Sequence, residues 1–214
     1  MARRYDENVF INCPFDEDYE SLLHALVFTV HDCGFIARSA LELDDSSEVR
    51  IDKIFRIISE CRYGVYDLSR TELDPDSGLP RFNMPLELGL FLGAKKFGGE
   101  KQALKRCLIL DREPYRYQRF CSDIAGQDLR AHGGVVRNAV VAVRNWLSSY
   151  AREMGSLVPS GAVIYRRYEA FLAQLPAWCE ELGYEPEELV FNDRTTLVVQ
   201  WLRENSFVPM RSIS

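Results

Sequence analysis

Glu87 is a lone acid in apolar surroundings. It sits in Arg81-Phe82-Asn83-Met84-Pro85-Leu86-Glu87-Leu88-Gly89-Leu90-Phe91-Leu92, which reads as the opening of a helix apolar on nearly every side and therefore buried. A carboxylate among Leu and Phe is costly unless it is paired, protonated or turned toward a polar cavity. Asn83, one helical turn earlier, shares its face, so both polar groups look into one cleft. A carboxylate held this way suits chemistry that generates positive charge, such as cleavage of a glycosidic bond. Departure of the base leaves an oxocarbenium-like centre, which a carboxylate beneath it stabilises or traps. The competing reading is local: a Glu near a helix start complements the dipole or closes a capping box. With Asn83 as the cap the box position falls on Leu86; with Met84 as the cap it falls on Glu87.

Other candidates gather at the ends of predicted strands: Asn12, Pro14, Phe15 and Asp16 after the first, Asp67 and Ser69 after the third. Cleavage of a nucleoside benefits from a proton donor, and Asp67 or Asp16 suits that role. Read locally, Asp67 is a strand-end or turn residue, and Asp16 with Asp18 initiates the first helix. Phe15 either stacks on a base or plugs the core. Phosphate falls to backbone amides at the loop-to-helix edge after the first strand and to Arg38, Arg70 or Arg81, although each arginine reads first as solvated surface. Asp128 and His132 share a face if helical, giving a carboxylate-oriented imidazole, whereas Gly133-Gly134 favours a loop or cap. The run Tyr115-Arg116-Tyr117-Gln118-Arg119 stacks on a nucleotide or forms an amphipathic surface element.

These residues need elements to position them. Apolar runs at 8–13, 34–37, 63–68 and 106–111 read as strands, and helical periods cover 19–33, 48–61, 83–97 and 132–150. The first helix turns Leu22, Leu23, Leu26, Val27 and Val30 inward; the second turns Ile51, Ile54, Phe55 and Ile58. Strands alternating with helices predict an α/β fold with a flavodoxin-like parallel sheet, order 2-1-3-4 with room for a fifth strand, and helices on both faces. Ligands of such sheets bind at the carboxyl ends of strands one and three. After a linker at 155–161, helices at 162–182 and 186–205 form a C-terminal helical extension, so the domains run 1–154 and 155–214. The extension's aromatics (Tyr165, Tyr168, Phe171, Trp178, Trp201) pack on the domain or on a second subunit.

Composition narrows the classes further. The 214 residues are 47% hydrophobic and 27% charged, ordinary for a soluble globular chain. No apolar run reaches membrane-spanning length and no signal-peptide core opens the sequence, so a cytoplasmic protein is expected. A net charge of −6 argues against a broad nucleic-acid surface. The six cysteines show neither CxxC nor Cys/His metal spacing, and packing as small hydrophobes is the expected role.

The pattern formed by residues 9–15 (Val-Phe-Ile-Asn-Cys-Pro-Phe), Asp67-Leu68-Ser69 and Asn83-x-x-x-Glu87-Leu88-Gly89 resembles the TIR (Toll/interleukin-1 receptor) and nucleoside 2-deoxyribosyltransferase-like superfamily over about residues 8–130. It is nearest to bacterial TIR-like nucleotide-binding proteins. The resemblance implies a TIR-like sheet, Glu87 as the catalytic carboxylate acting at the N-glycosidic carbon, and Asp67 as an acid touching the nucleoside. The TIR branch splits NAD into nicotinamide and ADP-ribose or a cyclised form, so NAD enters as substrate and no resident cofactor or metal is implied. The transferase branch exchanges or hydrolyses bases, and the Asn-x-x-x-Glu-Leu-Gly helix start looks more like that branch. A role in bacterial stress or antiphage defence follows by the same resemblance, with a homo-oligomer assembled through the C-terminal helices. Three readings stand: such an enzyme, a non-catalytic module that senses a nucleotide or recruits a partner, and a structural protein in which Glu87 pairs with Arg62 or Arg81.

Overall fold

The computed structural model describes residues 5–42, 47–71, 73, 78–80, 82–124, 126 and 129–206. In chain order the elements are β1 (Asn8–Asn12), α1 (Glu17–Asp32), β2 (Ile36–Arg38), α2 (Arg50–Ser59), β3 (Tyr63–Asp67) and α3 (Asn83–Phe97). There follow α4 (Glu100–Ala103), β4 (Arg106–Asp111), β5 (Leu129–Ala131), α5 (Val136–Glu153), α6 (Gly161–Leu182) and α7 (Phe191–Glu204). The strands form one five-stranded sheet in the order β2-β1-β3-β4-β5, and every pairing is parallel. This is a flavodoxin-like α/β fold with C-terminal helices, and its topological switch lies between β1 and β3.

Strand alternation sends side chains to two separate cores. Val9, Ile11, Tyr63, Val65, Leu108 and Leu110 face α1 and α5. Phe10, Tyr66 and Ile109 face α2 and α3, where Met84, Leu88 and Phe91 meet them. By the same alternation Asn12 continues on the α3 side of β1, whereas Asp67 continues on the α1 side of β3.

The inward stripe of α1 is fully buried, as its period requires. In α2 the stripe is Ile54, Ile57 and Ile58, each at most 3% exposed, while Phe55 is 46% exposed. The expectation for Phe55 is therefore corrected: it lies about 100° around the helix from Ile54, off the i, i+3, i+4 face. α5 starts later than expected, because Gly133 and Gly134 both take left-handed φ angles of 64° and 73° that leave His132 in the connection. His132 thus follows β5 in a connection, as the Gly133-Gly134 reading expects, and Asp128, its partner in the helical alternative, lies outside the described residues.

The C-terminal helices share the core on the α1 side. Phe28 of α1 meets Tyr168, Phe171 and Trp201 at ring-centroid distances of 5.5, 5.6 and 5.8 Å, and Arg167 of α6 pairs with Asp32 at 2.9 Å. Tyr165 and Trp178 are half-buried against the same cluster. The aromatics of the extension thus pack on the domain. Among the described residues no helix is long and apolar enough to cross a membrane.

Candidate functional site

Phe82 is the N-cap of α3, and the helix has no acid in its first turn. The capping-box position accordingly falls on Pro85, and Glu87 lies beyond it. That corrects the assignment of Asn83 as cap and leaves Glu87 without a local role. Its residue is 6% exposed. Among the described residues it makes no hydrogen bond or ion pair. Arg62, one expected partner, instead meets Asp6 at 3.0 Å, and Arg81 lies outside the described residues. Burial pushes the Glu87 carboxyl up from 4.5 to about 7, against a smaller opposing effect of the Arg50 charge.

Two more polar groups lie under α3 with their hydrogen bonding unmet. Asn12 is 1% exposed, and neither its Oδ1 nor its Nδ2 has a partner. Tyr66 stands opposite Asn12 in the β1–β3 register, and its buried hydroxyl also lacks a partner. Burial, with the charges of Cys107, Cys61 and Glu87 adding to it, holds that phenol protonated. Buried polar groups in folded proteins are nearly always satisfied, and each orphan costs about 1–3 kcal/mol. Asn12 and Tyr66 thus leave orphaned polar atoms on the α3-covered face of the switch point, the edge at which sheets of this kind bind ligands.

A cleft of about 420 Å³ opens at this edge, lined by Pro14, Phe15, Asp16, Arg50, Arg70, Asn83 and Met84. Asn83 is exposed at its rim, and Glu87 lies one turn further along α3, behind the lining. Phe15 packs on the core, as one of its two readings expects, and also lines the cleft. Asp16 precedes α1 as its N-cap residue and accepts from Arg70 at 2.6 Å; the same guanidinium nitrogen reaches Asp18 at 2.9 Å. So paired, Arg70 is not free for phosphate. Arg38 is excluded as well, because it is 2% exposed and bonded to Glu42 and Glu60. The cation left at the cleft is Arg50, which has no ion pair among the described residues and stands in the first turn of α2, where a helix favours anions.

Asp67 occupies a different place from the one expected. It is 0% exposed and lies across the sheet from Glu87. Its Oδ2 accepts from the Tyr19 hydroxyl, and Oδ1 accepts the Ser69 backbone N–H at 2.8 Å. His132 Nε2 lies 3.0 Å from Oδ2. That contact is close in distance but poorly aligned for a hydrogen bond, and is electrostatic. Gly134 N–H donates to His132 Nδ1 at 3.0 Å, which places the imidazole proton on Nε2, toward Asp67. Burial alone would raise the Asp67 carboxyl, but His132, Ser69 and Tyr19 together hold it below 3.8. A saturated, ionised carboxylate cannot donate a proton or reach a substrate. Asp67 is a tie between β3, α1 and the start of α5, and Ser69 (2% exposed) closes it.

Sequence reasoning singled out His132 as a carboxylate-oriented imidazole without naming Asp67 as a neighbour, and it missed Tyr19 and Tyr66 altogether. The Tyr115–Arg119 run also serves structure. Arg116 bonds Asp111 at 2.8 Å, Thr71 at 2.8 Å and the Leu68 carbonyl at 2.7 Å, and Tyr117 is buried. Among the described residues no group of three or more His, Cys, Asp and Glu side chains could hold a metal ion, and the six cysteines are free thiols. No protein-family model, curated protein or solved structure matches the chain.

Proposed function

We propose that the chain cleaves the N-glycosidic bond of a nucleotide, with NAD as the leading substrate and Glu87 as the catalytic carboxylate. One observation carries this reading: a buried acid without a partner, its carboxyl near 7, lies beside two orphaned polar groups at the carboxyl edge of β1 and β3. The bond from the ribose C1′ to the nicotinamide nitrogen breaks, and its electron pair leaves with the base as neutral nicotinamide. The oxocarbenium centre forms over the Glu87 carboxylate, and water adds its oxygen to C1′ while its proton passes to Glu87 or to solvent. A carboxyl near 7 serves either state, because a bound cationic nicotinamide ring favours the ionised form. Asn12 and Tyr66 offer hydrogen bonds to the ribose hydroxyls, and Arg50 offers charge to a phosphate. The resemblance to TIR-like proteins adds the defence context and a homo-oligomer to this reading, and the transferase-like helix start keeps nucleoside substrates within it.

A nucleotide-sensing module is the second reading. It is favoured by the position of Glu87 behind the cleft lining, so that a ligand in the cleft need not meet the acid. Nicotinamide release from NAD by the wild-type chain and by Glu87→Gln separates the two. The enzyme reading expects wild-type turnover and a loss of about a thousandfold in the variant, with NAD still bound. Full activity in Glu87→Gln excludes that residue, and NAD binding without turnover in the wild type establishes the sensor.

A further inference from the structure

The geometry points to a second ligand site, between α1 and α7, that takes a small zwitterion with an apolar body, of the size and chemistry of a free leucine or phenylalanine. A cavity of about 330 Å³ lies there, at the small end of the range of about 300–1,000 Å³ usual for ligand pockets. Leu23 and Val27 of α1 face Leu189 and Phe191 across it, which provides an apolar floor for a side chain.

Its charged groups come from the two helices, and Glu20 of α1 is near enough for its charge to act on Arg194 of α7. On the α7 side Arg194 is half-buried, and its Nε is buried with no acceptor. The guanidinium otherwise reaches only the Pro186 carbonyl, at a long 3.5 Å, and among the described residues no carboxylate lies at ion-pair distance. The Thr195 hydroxyl beside it is also buried without a partner. A guanidinium stripped of water and left without an anion is costly, and it binds a carboxylate through two parallel N–H donors. On the α1 side Glu17 and Glu20 stand exposed at the rim. His24 lies 3.5 Å from Glu20, and burial with the Arg194 charge lowers its imidazole to about 3, so it does not neutralise those acids. A plain carboxylate would meet the rim acids, and a plain amine would meet Arg194. An amino acid satisfies both. The site is separate from the cleft near Glu87, although Phe15 and Asp16 line both.

Calorimetric titration of the full chain with L-leucine, L-phenylalanine, phenylacetate and phenethylamine tests this. The expected result is saturable binding of at least one amino acid, with the acid and the amine weaker by about tenfold or more. Arg194→Gln is expected to weaken the amino acid by a similar factor, and Glu87→Gln to leave it unchanged. Should Arg194→Gln melt early, Leu41→Trp at the mouth, where Leu41 is 39% exposed, closes the cavity without removing a charge and should abolish binding. Absence of saturable binding to the wild type, equal binding of all four probes, undiminished affinity in folded Arg194→Gln, or binding that persists in folded Leu41→Trp overturns the assignment.

Discussion

Replacing Glu87 by Gln is expected to stabilise the folded chain while removing its chemistry. The unfolded carboxyl ionises near 4.5 and the folded one near 7. Between those values the native state keeps a proton that the unfolded state has released, so stability falls as pH rises. At about 1.4 kcal/mol per tenfold, the rise from 4.5 to about 7 amounts to about 3 kcal/mol. Glutamine keeps the shape without the charge. The stability difference, variant minus wild type, should therefore sit at its baseline below 4.5, climb through the window, and level off about 3 kcal/mol higher above about 7. For a chain of this size that corresponds to roughly 6–12 °C in melting temperature. The new amide needs hydrogen bonds of its own, and any cost it adds is the same at every pH; the slope, not the baseline, is diagnostic. Urea denaturation of both chains between about pH 4 and pH 8 measures it. A flat difference, or one that falls toward alkaline pH, would refute the claim that burial raises this acid.

The remaining expectations concern groups around it. Asp67→Asn should cost about 3–5 kcal/mol, because it removes the charge that Tyr19, His132 and Ser69 surround. Since the Asp67 carboxyl is held below 3.8, its stabilising effect is present at neutral pH and lost as pH falls through the folded value, so the variant should also show a shallower acid limb; a cost under about 1 kcal/mol would contradict the tie. Asn12→Leu removes two orphaned polar atoms from a dry site and should be neutral or stabilising by about 1 kcal/mol, while NAD no longer raises the melting temperature; a clear loss of stability would mean that Asn12 has a partner in solution. Trp201→Ala should cost about 3–5 kcal/mol in a single transition, and a separate early melt of the C-terminal helices would show that they do not share the core.

Burial of Glu87 was legible from its apolar neighbours, but burial of the whole helix was not borne out: only Met84, Glu87, Leu88 and Phe91 of α3 are buried, while Leu86 is 54% and Phe97 87% exposed. The strands, the helices and their parallel order were legible for a similar reason: apolar period and strand–helix alternation are written within a few turns of chain, and the chirality of the crossovers does the rest. The fates of the arginines and aspartates were not. Arg38 reads as a surface cation, yet the fold seals it beneath Glu42 and Glu60. Asp67 and Glu87 read as one site, yet strand alternation places them on opposite faces of the sheet.

Sequence alone therefore determined which segments fold and which acid is conspicuous. Tertiary structure alone decided partnership: that His132 serves Asp67, that Tyr66 faces Asn12, and that Arg50, not Arg38 or Arg70, is left open at the cleft. The reason is range. Propensity and periodicity act over neighbouring residues, whereas the contact of His132 with Asp67 exists only once sheet register has brought distant parts of the chain to the same edge.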